Sequence, residues 1–140
     1  MIQDRESSRR FFSEVWEKYK SDLPMQPLEE MVAGVILEHP EYQSLLKGGD
    51  SSLVEEFTPE QGITNPFLHM GMHIAIREQV QTNRPAGITD IYMKSIPSFE
   101  TAHDLEHLIM DCLGETLWTA QRNNTLPDEA AYLDCVKRIL

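Results

Sequence analysis

Apolar positions recur along this chain at spacings of three and four, the period of an α-helix rather than the alternation of a strand. From Asp4 to Tyr19 they are Phe11, Phe12, Val15, Trp16 and Tyr19, and Asp22-Leu23-Pro24 closes the stretch. Pro27 suits the first position of a second helix, where no backbone N–H is needed. Leu28, Met31, Val32, Val35 and Ile36 form its stripe, and Pro40 stops it. Tyr42 to Leu46 reads as a short helical turn. The rest of Glu41 to Gly62, with Gly48-Gly49 and Pro59-Glu60-Gln61-Gly62, reads as an irregular crossing segment. Asn65-Pro66 joins an N-cap residue to proline and starts a third helix that runs to about Thr82. Arg84-Pro85-Ala86-Gly87 breaks it. Ile88, Ile91, Tyr92 and Ile96 predict a short fourth helix closed by Pro97. Ser98 is the expected cap of a fifth helix, which reaches about Arg122 and ends at Asn123-Asn124. Pro127-Asp128-Glu129 opens the last, with Lys137 and Arg138 placed favourably against its dipole. No strand pattern and no internal repeat stand out. The expected fold is all-α: a single-domain helical bundle of about five to six helices, with residues 1–140 forming one helical domain.

On a helical wheel the third helix places His69, His73, Ile76 and Val80 on one stripe, with Arg77, Glu78 and Gln81 away from it. In the fifth, His103, His107, Met110, Gly114 and Leu117 follow the spacing of a bundle seam. Both histidine pairs are spaced i, i+4, which puts each pair on one face a single turn apart. Both are therefore expected on core faces. Whether they meet depends on how the fourth helix returns the chain. Glu106 falls inside the apolar arc of the fifth helix, where a carboxylate must be paired, hydrogen-bonded or metal-bound. Asp104, Asp111 and Glu115 form a separate, solvated wedge. Gly114, and Gly71 similarly, are read as points of close helix approach.

Four converging imidazoles would suit a divalent transition metal, zinc or iron foremost. The candidate ligands are His69, His73, His103 and His107, with Glu106 as a further ligand or as the base that takes a proton from bound water. His103 to His107 spells H-x-x-E-H, the inverzincin pattern, but five residues carry little weight and the chain is short for a peptidase. Glu100 to His103 spells E-x-x-H, as in di-iron bundles, yet a second copy is missing. Met31, Met70, Met72, Met93 and Met110 read as core filler, and Trp16 and Trp118 as core aromatics. His39, before Pro40, reads as a capping residue that the fold could bring to the site.

Composition narrows the partners. A net charge of -11 argues against nucleic acid and against an anionic membrane surface. No apolar run is long enough to span a bilayer. The N-terminal MIQDRESSRRFF lacks a signal-peptide core, so the expected location is cytoplasmic. Cys112 and Cys135 form no C-x-x-C and are expected as reduced, part-buried thiols, with a disulfide between them as the minority reading. Partners left open are an unknown small-molecule substrate and a second copy in a homodimer. The alternative to a metal-dependent hydrolase or transferase is a non-catalytic interaction or scaffold protein with a buried histidine–carboxylate network.

The blocks NPFLHMGMHIAIREQ, RPAGITDIY, AHDLEHLIMDCLGETLWTAQR and LPDEAAYLDCVKR, with ILEHPEY upstream, resemble the signatures of a small bacterial domain of unknown function. The resemblance runs from about Leu28 to the end. It implies a bacterial single-domain protein and no particular activity. His39, His69, His73, His103, Glu106 and His107 fall within those blocks.

Overall fold

The computed structural model describes residues 5–47 and 65–140. The expected crossing segment, Gly48 to Gly62, lies outside the described residues. Every regular element among the described residues is helical, so the fold class is all-α. The chain divides into two compact units, Met1–Gly71 and Met72–Leu140.

The first unit holds α1 (Arg5–Lys20), α2 (Pro27–Leu37), a 3-10 turn (Pro40–Tyr42), α3 (Gln43–Lys47) and the opening residues of α4 (Pro66–Thr82). Phe12, Val15 and Trp16 of α1 are buried, as are Val32, Ala33, Val35 and Ile36 of α2. Tyr19 and Leu28, at helix ends, are half-exposed instead of core; Tyr19 stacks on Trp16 at 5.4 Å. Lys18 ties α1 to α2 by donating to Glu29 at 2.7 Å. Asn65 caps α4 as expected, its Oδ1 accepting from the N–H groups of Phe67 and Leu68 at 3.0 and 3.1 Å. Phe67 in the first turn packs on Phe12, and the buried Arg9 places its guanidinium 4.8 Å from the Phe67 ring.

The second unit holds the rest of α4, α5 (Ile88–Ser95), a 3-10 turn (Ile96–Ser98), α6 (Ala102–Asn123) and α7 (Glu129–Ile139). Its core joins Ile76, Ile88, Tyr92, Leu105, Ile109, Met110, Leu113, Tyr132 and Val136. Asn124 closes α6 in the left-handed conformation, φ 54°, and Asp128 caps α7 by accepting from the Ala131 N–H at 3.0 Å.

Several expectations need correction. The cap of α6 is Thr101, whose Oγ1 accepts from the Asp104 N–H at 3.1 Å, because Ser98 is taken up by the preceding 3-10 turn. The buried stripe of α6 is Leu105, Glu106, Ile109, Met110, Cys112 and Leu113, rotated from the expected seam. Leu117 and Trp118 are consequently exposed, at 43% and 58%, and the Trp118 ring is covered by Arg122 instead of by the core. Close approach does not explain the glycines. A methyl at Gly114 would make ordinary contact with the flexible Met72 Cε at 3.7 Å, and one at Gly71 would meet no described atom within 4 Å. The cysteines are not separate thiols. Neighbouring faces of α6 and α7 bring Cys112 and Cys135 to a Cα separation of 5.7 Å, and they are joined as a disulfide. No described helix is long and apolar enough to cross a membrane.

Candidate metal centre

α4 and α6 deliver three imidazoles to one place in the second unit. His73 comes from α4; His103 and His107 come from consecutive turns of α6. Ring centroids are 4.5 Å apart for His73 and His103, 5.0 Å for His73 and His107, and 4.2 Å for His103 and His107. One ring nitrogen of each lies within 4.8 Å of the others. Access is graded: His73 is fully buried, His103 half-buried and His107 exposed. The set therefore has a wet side.

Glu106 lies behind this group with its side chain fully buried. It accepts from His73 Nδ1 at 2.7 Å, from Arg77 Nε at 3.1 and 3.0 Å, and from the Tyr92 hydroxyl at 2.7 Å. Burial alone would push its carboxyl up. The bonds from His73, Arg77 and Tyr92, with the Arg77 charge, outweigh burial and hold it below the usual carboxylate range. An ionised carboxylate only accepts, so His73 Nδ1 carries the proton of this bond and donates it to Glu106. This is the arrangement by which a second-layer carboxylate orients a metal-ligating histidine.

The first unit has its own pair. His39 and His69 lie with ring centroids 5.0 Å apart, edge to face, and each has a ring nitrogen within 4.8 Å of the other's. His39 Nδ1 donates to the Val35 carbonyl at 2.8 Å, so it does cap the end of α2. His69 stands one turn before His73 on the unbroken helix α4. All five histidines of the chain thus belong to one of two groups that a single helix connects.

Arg77 and Tyr92 were not legible as parts of this network. Arg77 lies off the apolar stripe, and Tyr92 falls among the apolar positions of its helix. One signal was available: a carboxylate inside an apolar arc needs a cation, and Arg77 continues the His69, His73 spacing by one more turn.

An all-α chain with a histidine cluster backed by a buried carboxylate–arginine–tyrosine network is the class these features define. The chain belongs to the family described as Domain of unknown function (DUF1841), whose model matches residues 4–138. No curated protein and no solved structure matches it.

Proposed function

We propose that the protein binds a divalent transition metal ion through His69, His73, His103 and His107, and that the ion serves metal-assisted hydrolysis or group transfer. The observation that carries this reading is the His73–Glu106 bond, which orients a buried ring within a group of three imidazoles. His69 joins by helix spacing, one turn from His73 on α4. The exposed edge at His107 supplies the side from which water or substrate would reach the ion. Zinc and iron are the ions expected first, since imidazole suits both.

In this reading Glu106 is a positioning residue, not the base. Its oxygens already take three donors, and burial keeps bound water from reaching it. Any base would be drawn from elsewhere, or metal-bound hydroxide would act directly. A second reading is favoured by the same network: Glu106, His73, Arg77 and Tyr92 satisfy one another and could serve stability alone, in a scaffold protein.

Elemental analysis of untagged protein purified without chelator separates the two. Near-stoichiometric metal that is lost in His107→Ala is the expected result. His107 is exposed, so this change leaves the fold intact. Folded protein that holds no metal, and gains no stability from added zinc or iron, would establish the scaffold reading instead.

A further inference from the structure

Cys112 and Cys135 are the two cysteines of the chain, and the two ends of their bond stand in different surroundings. Cys112 is 1% exposed and shares the core of the second unit with Ile109, Leu113 and Val136. Cys135 is half-buried and lines an open groove of about 320 Å³ along α6 and α7. Thr116, Thr119 and Ala131 line the same groove, as does Arg138, one turn after Cys135 on α7. Disulfide exchange begins when a thiolate reaches one of the two sulfurs, so access decides which is attacked. Here the Cys135 end meets open space, whereas the Cys112 end meets packed apolar side chains.

The α6–α7 hairpin does not depend on this bond alone. Asn124 closes α6, the Thr125 N–H donates to the Ala120 carbonyl at 2.9 Å, and Asp128 caps α7. Tyr132 and Val136 are buried in the core, and the Tyr132 hydroxyl donates to Gln79 at 2.7 Å. A reduced Cys112 packs as a small apolar side chain and leaves no charge buried. Both redox states therefore suit one fold. We propose that the pair is a reversible exchange site, opened at Cys135 by a small dithiol. Glu115 and Asp128 also line the groove and outnumber Arg138, so the dithiol is one without a carboxylate of its own. One thiolate of the dithiol attacks Cys135 Sγ, and a bond to it forms as the Cys112–Cys135 bond breaks. Cys112 leaves with the bonding electron pair and takes up a proton. The second thiolate then displaces Cys135, which takes up a proton in turn. The dithiol ends as a cyclic disulfide, and two electrons and two protons have passed to the cysteines. The site lies wholly in the second unit and uses none of the histidines.

The test uses the full wild-type chain, oxidised with hydroxyethyl disulfide and kept in native buffer. Excess dithiothreitol is expected to open the bond without denaturant, so that both cysteines become alkylatable by mass while the helical circular dichroism is unchanged. Transfer back to hydroxyethyl disulfide should restore the bond. The monothiol 2-mercaptoethanol, quenched early with N-ethylmaleimide, catches the first step. Peptide mapping should find mercaptoethanol on Cys135 and maleimide on Cys112, in excess of the reverse pattern by roughly tenfold or more. Equal labelling, or the reverse, would overturn the assignment of Cys135. A bond that opens only in denaturant, or whose opening abolishes the helical signal, would overturn reversible exchange. So would a chain that never forms the bond. At low salt, and per thiolate, 2-mercaptoethanol should react faster than 3-mercaptopropionate, with the difference lost at high salt. Equal rates at low salt would overturn the choice of an uncharged dithiol.

Discussion

At the scale of single residues, Glu106 is the position where most depends on one side chain. Its charge is buried and holds Arg77, His73 and Tyr92 together. Glu106→Gln keeps the size but removes the charge, and the new amide nitrogen must face a donor. Breaking a buried pair in this way costs about 3 kcal/mol, so the urea midpoint should fall clearly. Metal affinity, measured by chelator competition, should fall about 10- to 100-fold because the acceptor that orients His73 loses its charge. A variant with unchanged midpoint and affinity would contradict both roles. Tyr132 makes a separate prediction. Burial pushes its phenol up to about 12, partly opposed by its bond to Gln79 at 2.7 Å. The folded state therefore keeps a proton that the unfolded chain releases near pH ~10. Its contribution is complete below that pH and is lost as pH rises towards 12, by about 2 kcal/mol. Urea melts at pH 9 and 11.5 should show this fall in wild type and a smaller one in Tyr132→Phe.

At the scale of elements, α7 is the helix whose attachment can be tested directly. It is held by Tyr132 and Val136 in the core and by the Cys112–Cys135 disulfide, which closes a sequence separation of 23 residues. Loop-closure entropy for that length corresponds to about 3 kcal/mol. Cys135→Ser should lower stability by this order in guanidinium unfolding. Wild type in excess dithiothreitol should then unfold as the variant does. A reductant-insensitive wild type would mean the bond adds nothing to the attachment of α7. Helix α4 has a different role. It carries His69, His73 and Arg77 on successive turns, and its second-unit part presents both a proposed ligand, His73, and the guanidinium that holds Glu106.

For the whole molecule, metal binding becomes a statement about stability. An ion that binds only the folded chain, at about a hundred times its Kd, adds about 2.7 kcal/mol. For a chain of this size that is a rise in Tm of roughly 5–15 °C. Thermal melts with zinc or iron(II), repeated with chelator, should show the rise and its reversal. Melts that coincide would oppose the proposed site. The net charge of -11 makes the ionic background matter, because diffuse attraction of any divalent cation is screened by salt whereas direct ligation is not. The shift should therefore persist at high sodium chloride.

The helices were legible in the sequence because their signals are local. Asn65-Pro66 starts α4, Pro27 starts α2, Asn124 ends α6, and the three-and-four spacing marks which faces are apolar. The buried positions of His73 and Glu106 followed from the same periodicity, but it also expected His69, His103 and His107 on core faces, where the first two are half-buried and His107 is exposed. What periodicity cannot do is rotate one helix against another. That rotation left Leu117 and Trp118 in water, opened His107 and put Cys112 opposite Cys135. It also turned Arg77, off the apolar stripe, onto Glu106, which is 29 residues away in sequence. Local pattern determines which side chains want to be buried. Only packing decides which buried groups meet, because a buried charge selects its partner by distance in space and not along the chain.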